Sequence, residues 1–244
     1  MNMINKLTAE LKSHENPARA IIYAGFYKTG EGHYGEGDSF LGLSVPLQRN
    51  IAKKYTDLTL KEIGTLLKSK IHEHRFTATE ILVMKYESAD EKGDDKLKAQ
   101  IFRFYIANAK RINNWDLVDT SAPYIVGNFL LNENANDKAI LYKFARSKNL
   151  WERRIAIVAT QEFIRNDKFD ETLNVASILV NDKHDLIQKA TGWMLREIGN
   201  RNQKVEEEFL RKHYKTMPRT MLRYAIEKFD VKKRKFYMSR KPEK

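Results

Sequence analysis

The stretch Leu150-Trp151-Glu152-Arg153-Arg154-Ile155-Ala156-Ile157-Val158-Ala159 decides the fold class. Trp151, Ile155, Val158 and Ala159 recur at the three- and four-residue steps that gather apolar side chains on one face of an α-helix. The same periodicity runs outward in both directions. It predicts helices over Ile4–Ser13, Pro17–Tyr27, Pro46–Tyr55, Leu60–Ser69, His74–Glu87 and Asp94–Ala109. Beyond these it predicts Trp115–Leu131 with a break near Pro123, then Asp137–Ser147, Leu150–Arg165, Glu171–Val180, Leu186–Arg196, Asn202–His213, Arg219–Phe229 and Lys232–Met238. Asp94, Asp137 and Asp185 stand at helix starts, where a short acceptor side chain caps the free N–H groups, and Pro218 before Arg219 fits another start. No stretch of five or more residues alternates as a strand would, so the chain reads as all-α.

A weak repeat organises these helices. Arg154-Ile155-Ala156, Gln188-Lys189-Ala190 and Arg223-Tyr224-Ala225 match in character, and their alanines lie 34 and then 35 residues apart. Ala78 precedes Ala156 by 78 residues, two steps of about 39, and the step between falls inside Trp115–Asp119. Two helices per period in the thirties predict a HEAT-like helical-repeat solenoid, one helix of each pair lining a concave face. Trp115, Asp119, Arg154, Trp193 and Arg223 would then fall on lining helices. An irregular helical bundle is the other reading. All 244 residues are read as one domain, with a Gly-rich loop at 28–43 and a basic tail at 232–244.

Composition narrows the chemistry. The net charge is +12 and the pI about 9.6, with positive residues spread along the chain and densest at Lys232-Lys233-Arg234-Lys235. That distribution suits a polyanion, and the concave face is expected to be basic and to bind nucleic acid. The chain has no cysteine, which excludes disulfides and thiol catalysis. The six histidines form no metal-binding pattern, and Walker A and nucleophile-elbow motifs are absent. Gly30, Gly32 and Gly35 match G-x-G-x-x-G only formally, since a helix precedes them where a strand is required. No cofactor is expected. The first residues do not read as a secretory signal and no run could span a bilayer, so a cytoplasmic protein without membrane contact is expected, as a monomer.

Asn114-Trp115-Asp116-Leu117-Val118-Asp119 carries the most pointed chemistry. Residues i and i+4 share a helix face, so the Trp115 indole and the Asp119 carboxylate stand side by side. A carboxylate set against a polyanion makes sense if it stabilises developing positive charge. Taken alone, Asp119 also fits an ordinary exposed acid, and Trp115 and Trp193 fit core filling. Asp116 reads as a cap or dipole-compensating residue. Arg153 and Arg154 suit phosphate binding, although only one of two adjacent arginines can face inward.

The same segment, with Leu150-Trp151-Glu152-Arg153-Arg154, Ala190-Thr191-Gly192-Trp193-Met194-Leu195-Arg196-Glu197 and Phe40-Leu41-Gly42-Leu43-Ser44-Val45-Pro46 with its Arg49, resembles the AlkD family of alkylpurine DNA glycosylases. The resemblance runs over most of the chain in the right order. It implies a HEAT-like fold that grips double-stranded DNA carrying alkylated purines and excises N3- and N7-alkylated bases without a pocket for a flipped base. It implies that Trp115 and Trp193 flank the lesion deoxyribose, that Asp119 is the catalytic carboxylate, and that Arg154 holds the nearby backbone. Arg153, Lys189 and Arg223 are further candidates for DNA contact. Two other functions suit the same helices: a DNA-structure-binding solenoid without turnover, and a protein-interaction scaffold.

Overall fold

Capping side chains mark where most helices begin. The computed structural model describes residues 2–132 and 135–239. In α1 (Met3–Ser13) and α2 (Pro17–Phe26) the side chains of Asn2 and Asn16 accept the N–H groups of Asn5 and Arg19, and Pro17 occupies a first-turn position that needs no donor. After α3 (Val45–Ala52), α4 (Leu60–Leu66) opens with a reciprocal cap between Thr59 and Glu62. Next come α5 (His72–Glu91), α6 (Asp95–Ala107), capped by Asp94 as expected, and α7 (Trp115–Asp119), capped by Asn114. The chain up to Ile125 forms one compact unit. In it α5 is the central helix, packed by α3, α4 and α6.

A second unit begins at Val126. It holds α8 (Asn128–Leu131), α9 (Ala135–Ala145), α10 (Leu150–Ala159), α11 (Gln161–Arg165), α12 (Asp170–Leu179), α13 (Asp185–His213), α14 (Arg219–Ala225) and α15 (Val231–Ser239). Here α13 is central and packs against α10, α12 and α14. The fold is all-α: among the described residues the only β-type pairing is a single bridge between Ser39 and Ile71. No described helix is long and apolar enough to cross a membrane.

The periodic helices are present, with local differences that have physical causes. The span expected as one helix over Leu150–Arg165 is interrupted at Thr160, whose hydroxyl donates to the Ile157 carbonyl at 2.7 Å and turns the chain. The break near Pro123 is a π-type turn, Pro123–Gly127. The two helices expected on either side of residue 200 run on as α13, but Asn202 departs from helical geometry (φ −148°, ψ 88°) and its side chain accepts from Val205 N–H, starting a fresh segment. The tail is helical through Ser239; positions 240–244 of that expectation lie outside the described residues. The repeat alanines Ala78, Ala156, Ala190 and Ala225 are all buried, on α5, α10, α13 and α14.

Residues 28–43 form no regular element apart from the bridge residue Ser39, yet they are tied down firmly. The buried carboxylate of Glu73, on α5, accepts the backbone N–H groups of Leu41 (2.9 Å), Gly42 (2.8 Å) and Leu43 (3.2 Å). Gly42 sits at φ +80°, and a Cβ there would lie 2.3 Å from the Asn16 carbonyl oxygen.

Close helix approach supplies a test in the second unit. A Cβ on Gly192 of α13 would stand 2.4 Å from the Met221 carbonyl oxygen on α14, whereas one on Gly64 of α4 would meet only the Phe104 ring at 3.5 Å. Gly192→Ala should lose about 1–3 kcal/mol in chemical denaturation because α14 must shift. Gly64→Ala, in a helix with ordinary contact distance, should gain about 0.4–1 kcal/mol.

Candidate functional site

Helix α7 has only five residues, too few to persist by itself, so outside contacts hold it. The Asn114 side chain accepts the Trp115 N–H at 2.8 Å, and Asp116 Oδ1 accepts the Leu117 N–H at 2.9 Å. The cap of α7 is Asn114, and Asp116 stands instead in the first turn, where an acid faces the positive end of the helix; that is a small part of what the residue does. Asp116 Oδ2 also accepts the Tyr27 hydroxyl (3.0 Å) and faces His72 Nε2 (2.8 Å). Behind His72, Asp38 lies 3.7 Å from Nδ1, an ion-pair distance too long for a hydrogen bond, and Asp38 binds Arg75 Nη2 at 2.6 Å. Arg75, Asp38, His72 and Asp116 alternate in sign, and all four side chains are less than a tenth exposed.

These surroundings set the protonation states. Burial pulls the His72 pKa down, but the Asp116 carboxylate outweighs it, with help from Asp38 and opposition from Arg75, and raises it to about 9. Burial, and then the charge of Asp116, push the Tyr27 hydroxyl well above the usual phenol range, so it remains a donor. Nearby, Arg49 grips Glu80 at 3.1 and 3.3 Å, and burial raises the Glu80 carboxyl in spite of that partner.

An aromatic stack rests on this chain of charges. The Tyr27 ring lies between Phe40 (5.1 Å, 18°) and Trp115 (5.5 Å, 19°), and Phe26 meets the indole edge-on at 5.9 Å. Trp115 is half-buried, and so is Asp119 one turn along the same helix. Burial, and in smaller part the Asp119 charge, push the Tyr105 hydroxyl up, while its bond to Ser121 opposes this. The first unit thus presents an indole and a carboxylate from one rigid turn. A cavity of about 90 Å³, lined in part by Tyr23, Phe26, Tyr27, His72 and Asp116, adjoins the stack.

The remaining candidates lie in the second unit. Half-buried Trp193 on α13 donates from Nε1 to Glu197 at 3.0 Å, and Lys189, one turn earlier, pairs with Asp185 at 2.7 Å. Arg154 on α10 is only 5 % exposed, and its Nη1 donates to the Leu186 carbonyl at 2.7 Å, tying α10 to α13. Arg153 points elsewhere, to Asp182 (2.7 Å) and the carbonyls of Ser147 and Lys148 (3.0 Å each). Arg223 on α14 is exposed and has no hydrogen bond or ion pair among the described residues. Lys189 and Arg223 are the more accessible cations, Arg154 the more constrained.

Sequence reasoning missed Tyr27, Phe26, His72 and the depth of Asp116. In the sequence His72 stands out only as one of six histidines without a metal-binding pattern, and no local pattern links it to Asp116, 44 residues away.

A family model described as DNA alkylation repair enzyme matches residues 7–229. No match is found among curated proteins. Among solved structures, a protein described as a predicted DNA alkylation repair enzyme from Enterococcus faecalis is similar with a TM-score of 0.67 and 17% identity, covering 89% of this chain and 98% of its own. AlkD2 from Streptococcus mutans is similar at 0.55 and 18%, covering 78% and 92%. The smu.31 protein from Streptococcus mutans UA159 is similar at 0.54 and 16%, covering 94% and 99%. At these identities the likeness is one of fold.

A raised pKa at His72 has a definite consequence for stability. The contribution of the charged imidazole is complete below its ordinary value of 6.5 and is lost as pH rises through about 9. The stability advantage of the wild-type protein over His72→Gln should shrink when denaturation is repeated from about pH 6 to about pH 10. An advantage that stays constant over that range would show that His72 is not held charged.

Proposed function

Because the chain belongs to the DNA alkylation repair enzyme family, we propose that it is a DNA glycosylase that hydrolyses the N-glycosidic bond of cationic N3- and N7-alkylated purines in duplex DNA. The observation that carries this reading is the presence of Trp115 and Asp119 one turn apart on α7, a turn held by buried Asp116.

An alkylated ring nitrogen makes the purine cationic. When its bond to C1′ breaks, the electron pair leaves with the base, which departs neutral, and positive charge builds on the sugar. The Asp119 carboxylate opposes that charge, and the Trp115 face adds cation–π attraction. Water then adds to C1′ and releases a proton. The base needs no protonation to leave, so one carboxylate suffices where many hydrolases use two. Trp193 is proposed to flank the same deoxyribose. Lys189 and Arg223 are proposed to contact backbone phosphates directly, and Arg154 to hold the backbone at the helix end it secures. Arg153, neutralised by Asp182, is the weakest of these contacts. The curved HEAT-like basic surface, a monomeric state and a cytoplasmic location belong to the same proposal.

Asp119→Asn should lower the rate of methylpurine release by on the order of a hundredfold or more while leaving duplex binding and denaturation nearly unchanged. Near-normal release by the folded variant would remove Asp119 from its role, and no release by the wild-type protein that still binds duplex would favour a DNA-structure binder. Cationic N7-methylguanine and N3-methyladenine should be excised far faster than neutral hypoxanthine or uracil in matched duplexes. Efficient removal of a neutral base would mean that a general acid supplies a proton. Binding should weaken steeply with salt, as displaced counterions require.

A further inference from the structure

Asp116 follows Trp115 in the chain and meets His72 across 44 residues of sequence, and both are tied to the face of the Trp115 indole through one side chain. Tyr27 is the link. Its ring lies flat against Trp115 at 5.5 Å, and its hydroxyl is a buried donor that has Asp116 Oδ2 as its acceptor at 3.0 Å. The same oxygen faces His72 Nε2 at 2.8 Å, so the position of the acceptor is set by two partners from different parts of the chain. His72 is held in turn between Phe40, stacked at 4.7 Å, and the Asp38–Arg75 pair. Asp116 Oδ1 meanwhile fixes the first turn of the helix that carries Trp115 and Asp119.

We propose that Asp116 and His72 are positioning residues for base excision: they fix the Tyr27 ring through its hydroxyl, and the Tyr27 ring fixes the face that Trp115 presents. The proposal rests on the glycosylase reading above. Stacking alone leaves a ring free to slide and turn in its plane, because dispersion between flat faces is weakly directional. A hydrogen bond to a buried carboxylate removes that freedom, being charge-assisted and sensitive to angle. Loss of the bond leaves the ring in place but unregistered. A displacement of about 1 Å in a reacting geometry costs up to about a hundredfold in rate. Among the groups around His72, Asp116 from α7 and Asp38 from the loop favour the protonated imidazole and outweigh burial and the opposing charge of Arg75 on its own helix, while Tyr27 after α2 meets it as a neutral ring; the charge strengthens its grip on Asp116.

The test combines kinetics with fluorine NMR of protein labelled with 5-fluorotryptophan, the Trp115 resonance being assigned from Trp115→Phe. Tyr27→Phe is the informative variant, since it keeps the stack and deletes only the hydroxyl. Its single-turnover excision rate should fall by about tenfold to a hundredfold with duplex affinity unchanged, and its Trp115 resonance should shift or broaden. Asp116→Asn and His72→Gln, wherever they remain folded, should move the same resonance. Asp119→Asn should lower excision by on the order of a hundredfold or more without broadening the Trp115 resonance, since the ring stays held, which separates positioning from chemistry. A Tyr27→Phe protein with wild-type rate and an unmoved Trp115 resonance would overturn the proposal. If the wild-type protein excises nothing, the glycosylase reading falls, and the fluorine spectra alone still decide whether the hydroxyl holds the indole.

Discussion

A carboxylate with almost no access to water must be compensated where it stands, and that requirement on Asp116 organises the first unit. An unpaired buried charge is far too costly to persist. Asp116 is matched by His72, His72 is shared with Asp38, and Asp38 is matched by Arg75, so the chain of four is neutral overall and each link depends on the next. Removing one member strands another, at a cost of about 3–5 kcal/mol. Such a network rewards one arrangement and punishes near misses. It contributes more to definition than to net stability, since a well-packed apolar cluster of equal volume would stabilise as much.

That definition matters because the element it serves is short. Five residues of helix make one complete turn, and α7 gains its rigidity from Asn114, Asp116 and the Trp115–Tyr27–Phe40 stack rather than from its own hydrogen bonds. The glycine-rich stretch 28–43 has a related part. Glu73 gathers three of its backbone N–H groups, Asp38 joins the charge chain from it, and Phe40 closes the stack. A stretch that reads as a connection between helices is a wall of the site.

In the second unit the constraint is steric. Gly192 lets α14 approach α13 to backbone contact, and Gly127 does the same beneath Ala159. Trp193 follows Gly192 directly, so the residue that permits the close crossing also sets where the indole emerges. Its ring nitrogen is then fixed by Glu197, which Arg196 and Asn200 hold in place.

Much of this architecture is written in local sequence. Asp137 and Asp185, expected as caps, lie in the first turns of α9 and α13, and His184 caps α13. Helical periodicity, the Asp94 cap and the breaks at Pro123 and Asn202 follow from interactions within a few residues, and these can be read without a structure. The i, i+4 relation of Trp115 to Asp119 is of the same kind, because a single helical turn enforces it. The depth of Asp116 is not. In sequence it is one more acid in a first turn, and its bond to the Leu117 N–H is as local as that reading. Its other partners, Tyr27 and His72, lie 89 and 44 residues away, and no local pattern announces them. The division between Arg153 and Arg154 was likewise open, since adjacent residues on a helix point about 100° apart. Packing of α10 against α13 turned Arg154 to the Leu186 carbonyl and left Arg153 to Asp182. By itself the sequence determined which segments are helical and which side chains share a turn, because those are short-range matters of period and capping. Which acid is buried, which histidine is charged and which arginine is committed were decided only by tertiary structure, because burial and charge pairing depend on what arrives from elsewhere in the chain.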